Sequence, residues 1–284
     1  MQNVLNLAPE TTLTNYQEIP VVNQAYDLIP DEVLLSQEHY ESEVRSYPRR
    51  IPIAIKTTRG VIVEDTKGQT YVDCLAGAGA LPLGYNHSEI NQVMITQLNE
   101  GVPYQTLDLT TPSKDAFIKA VMQFLPTQFA KSARIQFCGP SGADAVEAAV
   151  KLAKQYTKRN TMASFHGAYH GMTNGALSLT GSLSAKGRRT GLMSDVHFFP
   201  FPYSYRCSFG LGGEQGAKQS IRYIESVLCD DESGITKPAA IIVEPIQGEG
   251  GVIPASNLWL QELRRITTEH GILLIFDEIQ CGIG

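Results

Sequence analysis

Three places along the 284-residue chain combine residue types that could hold a small ligand and act on it. The first is Gly139-Pro140-Ser141-Gly142-Ala143, a turn between a short apolar run and a helical pattern. There the Ser141 hydroxyl and the N–H groups of Gly142, Ala143 and Asp144 would meet the positive end of a helix dipole, which favours a phosphate group. Plain N-capping by Ser141 uses the same atoms, so the turn alone specifies no ligand. The second is Asp277, at the carboxyl end of an apolar run, the edge where open α/β sheets place their ligands. A carboxylate there could hold a pyridinium nitrogen protonated and make a pyridine ring an electron sink; a surface or capping acid is the alternative. The third is His166-Gly167-Ala168-Tyr169-His170-Gly171, in which Tyr169 offers a flat face either to an aromatic ring or to a core. Glu244–Gly251 adds two carboxylates, Glu244 and Glu249, on a glycine-rich loop. No single piece is specific. A phosphate cradle, a ring-facing aromatic and a ring-nitrogen acid, in that order, describe a pocket for pyridoxal phosphate.

Other chemistries fit less well. Ile272–Glu278 has the form of the Mg²⁺-holding strand of a P-loop NTPase, but the chain contains no Gly-Lys pair. Gly77-x-Gly79 follows a strand pattern, yet Pro82 occupies the third glycine of a dinucleotide fingerprint. His166 and His170 have the spacing of a zinc helix, but Gly167 stands where the glutamate belongs, so no metal site is expected. Gly139-x-Ser141-x-Ala143 survives as an alternative, a hydrolase nucleophile elbow with Ser141 as nucleophile. Its acid and base are harder to find: His270 precedes Asp277, and Asp195 with His197 or His270 keeps the order without a strand end beneath Asp195.

Elements that could position these residues alternate along the chain. A helix is expected over 33–44, then strand patterns around Ile53–Ile55 and Val61–Val63, the turn Asp65-Thr66-Lys67-Gly68, and a returning strand over 69–74. Helices follow over 88–99 and 112–124, the latter opened by Thr111 as N-cap and Pro112 at N1. From Arg134 the pattern becomes strand 134–138, helix 143–156 with the apolar stripe Ala145, Ala149, Leu152, Ala153 and Tyr156, and strand 162–165. A long Gly-, Pro- and aromatic-rich loop spans 181–216, overlapping a helix over 215–228 and followed by a strand over 239–243. Ser256 caps a helix running to His270, Gly271 ends it, and 272–276 reads as a buried strand. Repeats of strand, helix and strand imply parallel pairing with helices on both faces, an α/β class.

Composition excludes other classes. With 43% apolar and 18% charged residues the chain can bury a sizeable core. Its 23 basic against 29 acidic residues, net −6, build no basic field, so nucleic acid is not an expected partner. No run approaches the ~18 apolar residues of a membrane span. The opening MQNVLNLAPETTL shows neither a basic leader nor a continuous apolar stretch. Five cysteines, odd in number and far apart, point to reduced thiols and a cytoplasmic setting.

Ordered segments carry a resemblance. They are VRSYPRRIPIAI (44–55), DCLAGAG (73–79), TLDLTTPSKDAF (106–117), FCGPSGADAVEAAVKLAK (137–154), GAYHGMTNGALSL (167–179), FPYSYRCSFGLGGE (201–214), VEPIQGEGGVIPA (243–255) and DEIQ (277–280). Over about residues 41–284 the chain resembles class III aminotransferases of fold type I. The resemblance implies an N-terminal arm and helix (1–50), a β-hairpin segment of a small domain (51–85), and part of a pyridoxal-phosphate-binding large domain (86–284), with a mixed, mostly parallel sheet. It implies that Ser141, Gly142 and Ala143 bind the cofactor phosphate, that Tyr169 stacks on the ring and that His170 supports that pocket. Asp277 would pair with the pyridine nitrogen and Gln280 would approach the ring hydroxyl. Glu249 would be the carboxylate that neutralises a substrate-binding arginine, and Tyr47 would touch the substrate.

The segments LDLTTP and YRCSFGLGG and the N-terminal arm lean towards the diaminobutyrate branch. That branch implies transfer of the 4-amino group of L-2,4-diaminobutyrate to 2-oxoglutarate, giving L-aspartate 4-semialdehyde and L-glutamate, in a homodimer. Ornithine and 4-aminobutyrate are the alternative donors. Gly84-Tyr85-Asn86-His87-Ser88 departs from the family's Gly-His-x-His-Pro. The family's Schiff-base lysine lies roughly 30 residues beyond the aspartate, and no lysine follows Asp277 here. The expectation is a C-terminally truncated chain with an incomplete large domain, inactive by itself.

Overall fold

A computed structural model describes residues 31–42, 51–106, 108–187 and 191–282. They fall into two compact units, one of residues 31–42, 51–57 and 63–71, the other of residues 58–62 and 72–282. In the first unit, helix α1 (Glu32–Tyr40) starts at Asp31, whose carboxylate accepts the Val33 N–H at 2.8 Å and the Thr66 hydroxyl. The expected helix over 33–44 stops short because Glu41 is extended and the helix buries no residue that would prolong it. Strands β1 (Ile55–Arg59), β2 (Ile62–Asp65) and β3 (Thr70–Val72) form a sheet in sequence order. The expected turn after β2 is held by Asp65, which accepts the N–H groups of Lys67 and Gln69 at 2.9 and 2.8 Å and the Tyr71 hydroxyl at 3.0 Å.

The second unit begins with helices α2 (Ser88–Asn99), α3 (Pro112–Phe124) and the single turn α4 (Thr127–Ala130). Thr111 caps α3 by accepting the Lys114 N–H at 3.1 Å, with Pro112 in the first turn, as its sequence expects. The α/β part follows in chain order. It comprises α5 (Gly142–Thr157), β4 (Met162–Phe165), α6 (Asn174–Leu179), α7 (Leu183–Lys186), β5 (Val196–Phe199) and α8 (Gly213–Cys229). Then come β6 (Ala240–Val243), the antiparallel pair β7 (Ile246–Gln247) and β8 (Ile253–Pro254), α9 (Asn257–Glu269) and β9 (Leu273–Phe276).

Four of these strands make a parallel sheet in the order β5-β4-β6-β9. Alternation along the strands sorts the core into two layers. Ala163, Phe165, Ile241 and Val243 face α8 and α9, where Ile221, Ile224, Trp259, Leu263 and Ile266 are buried against them. Met162, Ala240 and Ile242 face the other way, against Val146, Val150 and Ala153 of α5 and Ala176 and Leu179 of α6. Strands covered on both faces by helices read as unbroken apolar runs, as β6 and β9 do, whereas Ser164 interrupts β4 and His197 interrupts β5. From β4 the chain leaves for β5 on one side, and from β6 for β9 on the other. The crevice between β4 and β6 is therefore the switch point at which such sheets place ligands.

Four expectations are corrected. Residues 134–138 form no strand; no described neighbour pairs with that backbone, and Phe137 and Cys138 are exposed. Helix α5 buries Val146, Val150 and Ala153; of the expected stripe Ala153 alone is buried, while Leu152 and Tyr156 are 58% and 75% exposed. The helix is apolar on more than one face, and contact with the sheet selects one. The supposed loop over 181–216 contains β5, whose Gly-rich and aromatic surroundings hide it from periodicity and whose ladder with β4 runs from Met162↔Val196 to Phe165↔Phe199. Finally, among the described residues β9 pairs with β6 alone, and of the expected buried strand Ile272 is buried while 273–275 are half-buried and Phe276 is 38% exposed.

Candidate active site

Loops leaving the carboxyl ends of β4 and β9 meet the start of α5, and the loop after β6 packs against both of them. After β9, Asp277 is 7% exposed. Its backbone continues the ladder by donating to Val243 O at 2.9 Å. Its carboxylate accepts the Ile279 N–H at 3.2 Å through one oxygen and lies 2.7 Å from His170 Nδ1 through the other. His170, after β4, is 3% exposed, and its backbone N–H donates to Thr180 Oγ1 at 3.0 Å. With Asp277 as acceptor, the hydrogen sits on Nδ1. The other ring nitrogen, Nε2, is buried and has no partner among the described residues.

The start of α5 is a capping box. Ser141 Oγ accepts the Asp144 N–H at 3.3 Å and donates to Asp144 Oδ2 at 2.7 Å, while that same oxygen accepts the Ser141 N–H at 3.1 Å. These bonds hold the Asp144 carboxyl below the usual carboxylate range, the Ser141 hydroxyl contributing most. The expected trio of free N–H groups is thus reduced to two: Gly142 and Ala143 donate to no partner among the described residues, whereas Asp144 does. Ser141 Oγ has no imidazole among its partners, which removes the geometry of the hydrolase alternative. His270 lies at the opposite end of β9 from Asp277, 3.3 Å from Cys229 Sγ, and Asp195 precedes β5 at the same wrong edge.

Close packing locks these pieces together. A Cβ on Gly142 would stand 2.8 Å from Ile279 Cδ1, so the loop after β9 closes directly over the α5 terminus. A Cβ on Gly171 would stand 2.7 Å from Ala143 Cβ, which brings the loop after β4 against the same turn. Gln280 donates to Ala78 O at 3.3 Å, and its Oε1 occupies the space that a Cβ on Gly248 would need. Glu249 is exposed on the glycine-rich loop. Tyr47 lies outside the described residues. Tyr169 is half-buried, and its backbone N–H donates to Glu244 Oε1 at 2.9 Å.

Thr180, Ile279 and Gln247 escaped sequence reasoning as parts of this site, and Glu244 appears there only as a loop carboxylate with no partner assigned. Glu244 is 4% exposed, and burial pushes its pKa up against the opposing pull of the Tyr169 and Gly248 N–H groups. Gln247 is buried and its amide donates to His166 O at 2.9 Å. The available signal was a carboxylate placed immediately after an apolar strand, the same signal that marks Asp277. Among the described residues no group of three or more His, Cys, Asp or Glu could hold a metal ion, and no helix is long and apolar enough to cross a membrane.

Comparison with known proteins identifies the family. The family model described as Aminotransferase class-III matches residues 44–284. The diaminobutyrate–2-oxoglutarate aminotransferase of Rhizobium meliloti (strain 1021) is 54% identical over 248 residues, 87% of this chain and 53% of that protein. The protein of the same name from Haemophilus influenzae (strain ATCC 51907 / DSM 11121 / KW20 / Rd) is 50% identical over 272 residues, 96% of this chain and 58% of that protein. The crystal structure of an amine transaminase from an uncultivated Pseudomonas species, in its PLP-bound form, superposes with a TM-score of 0.73 at 28% identity, covering 86% of this chain and 56% of that one. The chain spans about half the length of the curated relatives it matches.

Proposed function

Because this chain belongs to the class-III aminotransferases, we propose that the crevice at the carboxyl ends of β4, β6 and β9 holds pyridoxal 5′-phosphate. We further propose that the whole protein, rather than this chain by itself, which is expected to be inactive, moves the 4-amino group of L-2,4-diaminobutyrate to 2-oxoglutarate, giving L-aspartate 4-semialdehyde and L-glutamate. Relatives at 54% and 50% identity that carry this name support the choice of donor over ornithine or 4-aminobutyrate.

The residues present fit the cofactor. Two N–H groups at the α5 terminus take no partner among the described residues and suit a phosphate. The observation that carries the reading is the buried Asp277 carboxylate held by His170 at 2.7 Å, with His170 Nε2 left as an orphaned polar atom of the kind a bound group or water satisfies. When bound, pyridoxal phosphate supplies the electron sink for amino transfer. Ser141, Gly142 and Ala143 would hold its phosphate, and Tyr169 would face its ring. Asp277 would hold a proton at the pyridine nitrogen, with His170 fixing the carboxylate's orientation. Gln280 would reach the ring hydroxyl, Glu249 would pair with a substrate-binding arginine, and Tyr47 would touch the substrate.

The same reading divides the chain into an arm (1–50), a small-domain segment (51–85) and part of the large domain (86–284). It places the protein in the cytoplasm, supported by the free cysteines among the described residues. It makes the whole protein a homodimer, supported by Ile90, Val93, Met94 and Leu98, which form an exposed apolar stripe on α2. Titration of the purified protein with pyridoxal phosphate, followed by absorbance, tests the core of the reading. A saturable spectral change is expected, competed by inorganic phosphate and weakened in Asp277→Asn. Binding that never saturates would overturn it. Donor choice is read on the whole protein, from which amine alters the bound-cofactor spectrum, with L-2,4-diaminobutyrate expected ahead of L-ornithine and 4-aminobutyrate.

A further inference from the structure

Strands β4 and β6 part company before they end. Their ladder pairs Met162 with Ala240 and Ala163 with Ile241, and beyond it the two strands run on to Phe165 and Val243. The loops that follow carry Tyr169 on one side and Glu249 on the other, so they flank an opening that main-chain pairing does not close. Glu244, the first residue after β6, bridges it. Its Oε1 accepts the Tyr169 N–H at 2.9 Å and its Oε2 accepts the Gly248 N–H at 3.0 Å. Gln247 adds a third tie, from its amide to His166 O at 2.9 Å.

A carboxylate buried this deeply is costly unless its oxygens are bonded. Here each oxygen takes a main-chain N–H from a different loop, while His170 favours and Asp277 disfavours its charge from the third side. A plain structural acid would serve one segment; this one serves both walls of the crevice.

We infer that Glu244 is a positioning residue that ties the Tyr169 loop to the Glu249 loop, so that the two walls of the cofactor crevice open and close as one body. The functional half of this inference rests on the pyridoxal phosphate reading; the mechanical half does not. Amide hydrogen exchange of the cofactor-free protein therefore tests it directly. In the unmodified chain the Tyr169 and Gly248 amides should exchange with the same opening equilibrium, since one carboxylate holds both. Different protection at the two sites would overturn the inference without any variant. In Glu244→Gln one oxygen becomes an amide nitrogen that faces an N–H donor, and exchange at one or both amides should accelerate about tenfold or more. Ile241 to Val243 should stay protected. Unchanged exchange at both amides would overturn the inference.

A second measurement addresses function. Glu244→Gln should weaken pyridoxal phosphate binding and diminish the circular dichroism induced in the bound cofactor, leaving inorganic phosphate binding unchanged. An equal loss for phosphate would mean general damage to the site and would overturn the positioning role. Failure of the unmodified protein to bind the cofactor would instead sink the reading of the crevice, with the exchange result still deciding the clamp.

Discussion

His170 Nδ1 and Asp277 Oδ2 lie 2.7 Å apart although 107 residues separate them along the chain, and both side chains are almost wholly removed from solvent. The pair joins the loops after β4 and β9, two strands with β6 between them. Its bond fixes where the carboxylate points, and the Ile279 N–H fixes its second oxygen. Removing the imidazole by His170→Ala should leave one buried oxygen without its partner. A loss of about 1–3 kcal/mol is expected for a stranded buried acceptor, read as a lower urea midpoint at unchanged slope. An unchanged midpoint would mean that water replaces the imidazole at no cost.

The contact between Gly142 and Ile279 sets the fit of the loop over α5. Gly142→Ala would put a methyl group 2.8 Å from Ile279 Cδ1 and Cγ2. Ile279 is exposed enough to swing aside, so the loss of stability should sit at the low end of the about 1–3 kcal/mol typical of overpacking. The displaced loop should nonetheless weaken binding of pyridoxal phosphate. Adding Ile279→Ala should recover affinity, and a double-mutant cycle measures the coupling. Additive effects would show that the two residues act independently.

Glu244 gives a stability slope with a definite sign. Its folded-state pKa is raised, so the folded protein takes up this proton more readily than the unfolded chain. Its contribution is fully present below the unfolded value of about 4.5 and is lost as pH rises through the folded value. Unfolding free energy of the unmodified protein relative to Glu244→Gln should therefore fall as pH climbs from that point. Asp144 runs oppositely: its lowered pKa gives stability present above the unfolded value and lost as pH falls through the folded one. A rising difference for Glu244 would mean that the two N–H bonds outweigh burial.

Ser141 is engaged by Asp144 and by no imidazole. Ser141→Ala should cost about 1 kcal/mol through the lost cap and should weaken competition by inorganic phosphate. A fluorophosphonate should leave the hydroxyl unlabelled. Labelling at Ser141 would revive the hydrolase reading and displace the aminotransferase one.

Local chemistry made much of this protein legible before any fold was known. Thr111-Pro112, Ser256 and Gly271 mark helix ends through hydrogen bonds and backbone angles confined to a few neighbouring residues, and the structure realises them. The turn at Ser141 and the acid at Asp277 stood out for the same reason, since strand-to-helix turns and strand ends have short-range signatures. The family, too, could be read from ordered motifs. What escaped depends on contacts distant in sequence. Strand β5 is a strand because β4 satisfies its backbone, and α5 buries Val146 and Val150 because the sheet lies on that side. Glu244 is a loop acid in sequence and a two-loop clamp only once β4 and β6 are neighbours. A buried polar group takes its meaning from the partner that satisfies it, and for Glu244, His170 and Asp277 that partner lies scores of residues away. Spacing along the chain named the groups able to do chemistry, and the parallel sheet decided which of them share one crevice.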